Sequence, residues 1–402
     1  MAEIKSIKIR KIFDSRGNQT VEVDVFSDAN ASGRAAAPAG ASKGKFEVKD
    51  YPEKGIDYGI KNFKENVAPK LIGLDLLKQK GLDQLLHSID GSGDFANIGG
   101  NIAIATSMAA AKAAAKSDGL ELYKMLLKQN KAVMPYPLGN IIGGGKHAIN
   151  GTVMQEFLSV SFGKSYFDSV SANIGVHKRT GELLKQRFAK YPIGLGDEKA
   201  WVAAMSDTEA IEMLNDAIGY SATKTGIEIK PAIDLAASSF YESGTYNYTD
   251  RKMTTDEQID FIADLAEKFS VKILEDPLDE GDFEGFAKLT KRIGSKTIIV
   301  GDDLFVTNKE KLEKGIKMGA ANGILIKPNQ IGTLTDLMET VALAKRHNYE
   351  TVISHRSGET EDTSIAHIAV GLGIHYIKTG TIGGERLAKH NELIRIEELE
   401  GN

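Results

Sequence analysis

Ile7 and Ile9 alternate with Lys8 and Arg10. After the turn-like Asp14-Ser15-Arg16-Gly17-Asn18, Val21, Val23 and Val25 alternate with Glu22 and Asp24. A period of two belongs to half-buried strands, here joined as a hairpin. A third short strand is expected near Arg34 to Ala37. The stretch from Asn101 to Lys116 is alanine-rich and strongly helix-forming, with Gly119 as a stop. Small side chains on all sides of a helix point to close packing.

Pro135 and Pro137 lie within Lys131 to Pro137, and the pattern changes there. The expected organisation is a first domain over 1–130 and a second over 131–402. In the second, short β-rich runs alternate with helical ones. Ser206 to Glu209 matches a capping box and opens a helix with Ile211, Leu214 and Ile218 on one face. Ile259, Ile262, Ala266 and Phe269 make a second apolar stripe, and Leu334, Leu337, Val341 and Ala344 a third. Between the helices lie near-continuous apolar runs at 232–235, 271–275, 297–300, 323–327, 351–354 and 375–378. Such strands between helices predict a parallel sheet covered by helices.

Composition narrows the function classes. Apolar residues are 42% and charged residues 26% of 402, ordinary for a soluble globular protein. A formal charge of −5 argues against a generic nucleic-acid binder. With no cysteine, disulfides, thiolate metal sites and cysteine nucleophiles are excluded. No apolar run is long enough to span a bilayer, and the first ten residues lack the apolar stretch of a signal peptide, so a cytoplasmic location is expected.

The chemistry gathers at the ends of the apolar runs. In order these are Asp234, Glu275, Asp302, Lys327, His355 and Lys378. They fall at intervals of roughly 25 to 40 residues, which suits strand–helix units of a barrel whose strand ends share one mouth. Three successive carboxylates suit a hard, oxygen-seeking cation such as Mg²⁺. Arg356 and Ser357 follow His355 and suit a phosphate group. A lysine beside Mg²⁺ and a second lysine should have a lowered pKa, and so serve as a base. Earlier in the chain, His147 follows a glycine-rich turn, Glu156 follows Gln155 on an expected strand, and Glu198 sits in Gly196-Asp197-Glu198. These three would supply acid and hydrogen-bonding groups opposite the lysines. His87 and His177 read as surface residues.

Along essentially its whole length the chain resembles the enolase family. The matching segments include Asp14 to Asn18, Gly40-Ala41-Ser42, His147-Ala148, Gln155-Glu156-Phe157, Gly196-Asp197-Glu198, Ile233-Asp234 and Glu275-Asp276-Pro277. They continue with Asp302-Asp303-Leu304, Lys327 to Thr333, Ser354 to Thr360 and Ile377 to Gly380. Each is short, but their order and spacing together are specific. The resemblance implies an α/β barrel, TIM-like with an irregular antiparallel start, preceded by an α+β domain with a three-stranded antiparallel meander and helices. It implies reversible dehydration of 2-phosphoglycerate to phosphoenolpyruvate with two Mg²⁺ per site. On that resemblance, Asp234, Glu275 and Asp302 would hold the first Mg²⁺ and Ser42 would join the second. Lys327 would take the C2 proton, and Glu198, with Glu156 close by, would assist loss of the hydroxyl. Arg356 and Ser357 would hold the phosphate, and Lys378 and Gln155 the carboxylate, with His147 and His355 lining the pocket. A homodimer, in some members a ring of four dimers, is implied as well, with no nucleic acid required.

Some positions depart from the family pattern. Ala39 and Lys43 stand where serine and threonine are usual, Lys199-Ala200 where Gly-Gly is usual, and Gly143 where asparagine is usual. None carries an assigned chemical role. They leave room for a reading of another class, a catalytically impaired protein of this fold that binds or scaffolds. Family members also occur on cell surfaces and in RNA-processing assemblies, which makes a surface presence a secondary expectation.

Overall fold

A computed structural model describes residues 2–40, 44–127, 131–148, 151–189 and 193–401. Strands β1 (Ile4–Phe13), β2 (Gln19–Ser27) and β3 (Ser32–Ala36) form the antiparallel meander, in the order β1-β2-β3. Ile9 faces Val23, and Val25 faces Ile7, as the alternation requires. Helices α1 (Ile56–Asn62), α2 (Ala68–Leu71), α3 (Gln79–Asp90), α4 (Gly100–Ser117) and α5 (Leu122–Leu126) complete this part. The alanine run is α4, and it is buried almost all round. A side-chain carbon on Gly33 of β3 would lie 2.0 Å from the Ala109 carbonyl oxygen and 2.4 Å from the Ala113 nitrogen. Helix and sheet therefore touch backbone to backbone.

The second part starts with β4 (Tyr136–Gly143), β5 (Glu156–Phe162), α6 (Tyr166–Arg187), the two-residue strands β6 (Gly194–Leu195) and β7 (Trp201–Val202), α7 (Asp207–Thr225) and β8 (Glu228–Asp234). A small antiparallel sheet follows: β9 (Tyr241–Glu242), β10 (Thr245–Asn247) and β11 (Lys252–Met253). Then come α8 (Thr255–Phe269), β12 (Ile273–Glu275), α9 (Phe283–Ile293), β13 (Ile298–Gly301), α10 (Lys309–Met318), β14 (Gly323–Ile326) and α11 (Pro328–Ile331). The chain closes with α12 (Leu334–Arg346), β15 (Glu350–Ser354), α13 (Ser364–Leu372), β16 (Tyr376–Lys378) and α14 (Gly384–Leu399).

Among the described residues, eight strands close on themselves in the order β4-β5-β8-β12-β13-β14-β15-β16, with β16 pairing back to β4. This is the expected barrel. β5 runs antiparallel to both neighbours, and the other pairings around the ring are parallel. The reversal matters for the site: it brings the first residue of β5, Glu156, level with the last residue of β8, Asp234. Leu158, Val160, Ala232, Ile273, Val300, Leu325 and Val352 fill the barrel interior. Neighbouring positions such as Ile233, Leu274 and Ile299 belong to the larger core. Both capping boxes, at Ser206/Glu209 and Thr254/Glu257, are formed.

The meander part is docked against the barrel's C-terminal mouth. Ala39 and Gly358 exchange backbone hydrogen bonds of 2.7 and 2.9 Å, and Ser15 N donates to Glu359 O at 2.7 Å. The buried Asp83 carboxylate accepts from Ser107 Oγ at 2.6 Å and from Thr335 N at 3.0 Å, crossing between the two parts. His87 is half-buried, 2.7 Å from Asp336. His177 differs from its surface reading: it is only 3% exposed, because α6 turns it toward the β6–β7 hairpin.

The Gly33 contact generates a test. Gly33→Ala forces α4 off the meander, because backbone atoms rather than a flexible side-chain tip occupy the space. The expected loss is about 1–3 kcal/mol, the usual cost of overpacking, read by urea denaturation. An unchanged denaturation midpoint would contradict the contact.

Candidate active site

The strand ends converge as the spacing predicts. Asp234, Glu275 and Lys378 are the last residues of β8, β12 and β16, while Asp302, Lys327 and His355 immediately follow β13, β14 and β15. Asp234, Asp302, Lys327, His355 and Lys378 line one cavity, together with Gly40, His147, Gln155, Glu156, Glu198, Arg356 and Ser357. Its volume is about 30 Å³, room for little more than a water molecule.

Those side chains now hold one another. The Lys378 ammonium lies 2.7 Å from Glu275, 3.0 Å from Asp234 and 3.1 Å from Glu156. Lys327 is paired with Asp302. Neighbours fix the carboxylates further. Gln155 Nε2 donates to Asp234 at 3.2 Å, Ala236 N donates to Asp234 at 3.0 Å, and Gln330 Nε2 donates to Asp302 at 3.0 Å. Asp276 accepts from the backbone of Asp302 and Asp303 at 2.9 and 2.7 Å, bracing the turn after β13.

The ionisation pattern follows from these contacts. Burial pulls the Lys378 pKa down, but Asp234, Glu156 and Glu275 outweigh it and hold it well above the ordinary lysine value. Burial likewise opposes the charge on Lys327, but Asp302 outweighs it and raises the pKa. The expected lowering at Lys327 concerns a bound metal ion; among the protein's own groups the charge that decides the shift is the Asp302 carboxylate. Burial pushes Glu275 well up.

On the opposite wall, Glu198 Oε2 lies 3.2 Å from His355 Nε2 and accepts from Asn140 Nδ2 at 3.1 Å. His147 Nδ1 is 3.3 Å from Glu156 and 3.9 Å from Glu198. Arg386 donates to His355 Nδ1 at 2.9 Å, so the ring proton sits on Nε2, toward Glu198. Burial drives His355 down to about 3, leaving it neutral at ordinary pH. Burial raises both glutamates, and the facing histidines oppose it at Glu198. Glu156, next to Glu198, stays raised and is the better proton holder of the two.

Arg356 is gripped from the meander side. Glu47 accepts two hydrogen bonds from it at 3.0 and 3.1 Å, and Asn329 Oδ1 a third at 2.9 Å. Ser357 is buried beside it. Ser42 and Lys43 lie outside the described residues. Glu47, Asn140 and Arg386 were not picked out from the sequence. Asn329 and Gln330 stood in a quoted segment without a role.

The donor set fits a divalent cation: buried carboxylate oxygens on neighbouring strand ends, with no soft ligand among them. Among the described residues, two groups place three ligand atoms within 4.8 Å of one another: His147, Glu156 and Glu198, and Asp276, Asp302 and Asp303. Asp234, Glu275 and Asp302 are not drawn that tight, since Lys378 and Lys327 share out their charge.

Fold and site define a barrel enzyme with paired acid–base groups facing each other across an acidic, cation-ready mouth. A family model described as the enolase C-terminal TIM barrel domain matches residues 131–402, and the enolase N-terminal domain model matches 4–126. The enolase of Picrophilus torridus is 51% identical over 98% of both chains. That of Thermoplasma acidophilum is 47% identical over 98% of both, and that of Methanocorpusculum labreanum 50% identical over 99% of this chain and all of its own. The chain belongs to the enolase family.

Removing the central cation tests the charge arrangement. In chelator, Lys378→Ala should lose about 3–5 kcal/mol of stability, the cost of stranding buried charge. Added Mg²⁺ should restore more stability to the variant than it adds to the parent. Equal stability of variant and parent in chelator would contradict the arrangement.

Proposed function

We propose that the chain is a working enolase: a lyase that reversibly dehydrates 2-phosphoglycerate to phosphoenolpyruvate in glycolysis and gluconeogenesis. The observation that carries this reading is the placement of the buried Lys378, the part-buried Lys327 and a buried glutamate pair around one cavity lined also by an arginine and a serine. Nothing found favours the alternative of an impaired scaffold.

In this reading Asp234, Glu275 and Asp302 would hold one Mg²⁺, and Ser42 would join a second; when bound, such ions would supply positive charge to offset the negative charge that grows as the C2 proton leaves. Arg356 and Ser357 bind the phosphate, a fit for a planar guanidinium with a hydroxyl donor beside it. Lys378, once released from its carboxylates, neutralises the substrate carboxylate with help from Gln155. Lys327 receives the C2 proton on Nζ as a neutral amine, which requires Asp302 to be engaged elsewhere and the ammonium to have given its own proton to solvent first. Glu198 delivers a proton to the C3 hydroxyl, which departs as water while the C2–C3 double bond forms. Glu156, holding its proton more firmly, and His147 are placed to resupply Glu198. The neutral His355 ring faces it, with Nε2 3.2 Å away.

The domain limits at 1–130 and 131–402, which rest on the change of pattern at Pro135 and Pro137, and a cytoplasmic location belong to the same proposal, as do two Mg²⁺ per site and a homodimer or ring of four dimers, which rest on the family resemblance. Among the described residues, no helix is long and apolar enough to cross a membrane.

Absorbance at 240 nm follows the product directly. With 2-phosphoglycerate and Mg²⁺ the signal should rise, and Lys327→Ala should slow it by about 10²–10⁴-fold, the usual worth of a positioned base. The variant should still gain thermal stability from Mg²⁺. No signal at any Mg²⁺ concentration would overturn the reading.

A further inference from the structure

Glu198 occupies the five-residue connection between β6 and β7, within the three-residue turn 197–199 that Gly196 and Ala200 close. Gly196 N donates to Ala200 O at 2.9 Å and Lys199 N donates to Gly196 O at 3.0 Å. A loop closed in this way ends on a left-handed residue, normally glycine. Here that residue is Lys199, at φ +61°. A side chain in that region costs about 1–2 kcal/mol, so the loop that carries Glu198 needs a hold from outside.

The hold comes from α6. His177 Nε2 lies 2.8 Å from the Lys199 carbonyl oxygen. A carbonyl only accepts, so the ring donates from Nε2. Its ring stacks on Trp201, with centroids 5.4 Å apart and planes at 28°. The Trp201 indole N–H in turn donates to the His177 carbonyl at 2.9 Å. The surface of α6 is cut to receive this indole: a side-chain carbon on Gly181 would lie 2.4 Å from the Trp201 ring. Thus the residue directly after Glu198 and the one three after it are both tied to His177. Burial pushes the His177 pKa below its ordinary value, which suits a neutral donor. His177 does not line the catalytic cavity.

We propose that His177 is a positioning residue for the dehydration step. By fixing the Lys199 carbonyl it holds a strained loop closed and aims Glu198 into the cavity, opposite Lys327. The proposal rests on the acid role given above to Glu198. Its signature is a split between two half-reactions. Transfer of the C2 proton to Lys327 and its return need no Glu198, so solvent deuterium should still enter C2 of 2-phosphoglycerate. Breaking the C3–O bond needs the Glu198 proton, so phosphoenolpyruvate formation should fail.

The test measures both rates, deuterium entry at C2 and absorbance at 240 nm, in Mg²⁺-loaded full-length protein. His177→Phe keeps the ring against Trp201 and removes the donor. It should slow dehydration by at least ~10-fold, within the range a misplaced group can cost, while exchange stays within about twofold. His177→Gln restores an N–H donor and should recover most of the dehydration rate. The single tryptophan should report the loosened loop by a fluorescence change in the Phe variant. Glu198→Gln should show the same split. If His177→Phe leaves both rates intact, or depresses both alike while Glu198→Gln splits them, the proposal is overturned. A Gln variant no faster than the Phe variant also overturns it. If Glu198→Gln loses both rates in step, the acid role falls and the inference falls with it. Should His177→Phe not fold, Trp201→Phe, which cuts the second tie, is expected to give the same split, and its absence counts against the proposal.

Discussion

The mouth of the barrel buries more charge than it can leave unpaired, and the rest of the site follows from that constraint. Glu156, Asp234, Glu275 and Asp302 are all nearly inaccessible to solvent. Burying one carboxylate alone is costly enough that it must protonate or find a counter-charge. Lys378 meets three of them and Lys327 the fourth. These ammoniums supply the counter-charge that the buried carboxylates need. Activity then depends on exchanging internal counter-ions for a divalent ion and an anionic ligand of matching charge.

The architecture supplies the positions. Parallel strands deliver their last residues to one end, and the reversed β5 adds its first residue to the same rim. The meander part contributes through Glu47, which fixes the Arg356 guanidinium from above with two parallel hydrogen bonds. Such a fork restricts Arg356 to one plane, the geometry a phosphate recognises. Docking of the meander on the barrel is therefore part of building the site as well as covering it.

Much of this was legible in the sequence, for physical reasons that can be named. Apolar runs ending on Asp234, Glu275, Asp302, Lys327 and Lys378 mark buried strands that reach a polar rim, so fold and charge cluster appeared together. The alternation at 21–25 and the alanine run at 101–116 each carry a period that packing enforces. The β6–β7 hairpin and the small sheet of β9, β10 and β11 were not foreseen, since strands of two or three residues show no period. Glu47, Asn140 and Arg386 were missed because their partners lie on other elements, 309 residues away for Glu47 and Arg356, and His177 was misjudged because sequence does not show which way α6 turns it. The ionisation of Lys327 is not legible in sequence for another reason: the sign of its shift depends on which charge stands nearest, and sequence does not give that distance.

The central claim is that the three strand-end carboxylates are the ion's seat and the lysines its placeholders. Anomalous diffraction from Mn²⁺-soaked crystals addresses it directly. A peak bonded to Asp234, Glu275 and Asp302, with the Lys378 ammonium displaced from Glu275, is the expected result. A peak among His147, Glu156 and Glu198, or among Asp276, Asp302 and Asp303, with Lys378 still bridging Asp234 and Glu275, would contradict it.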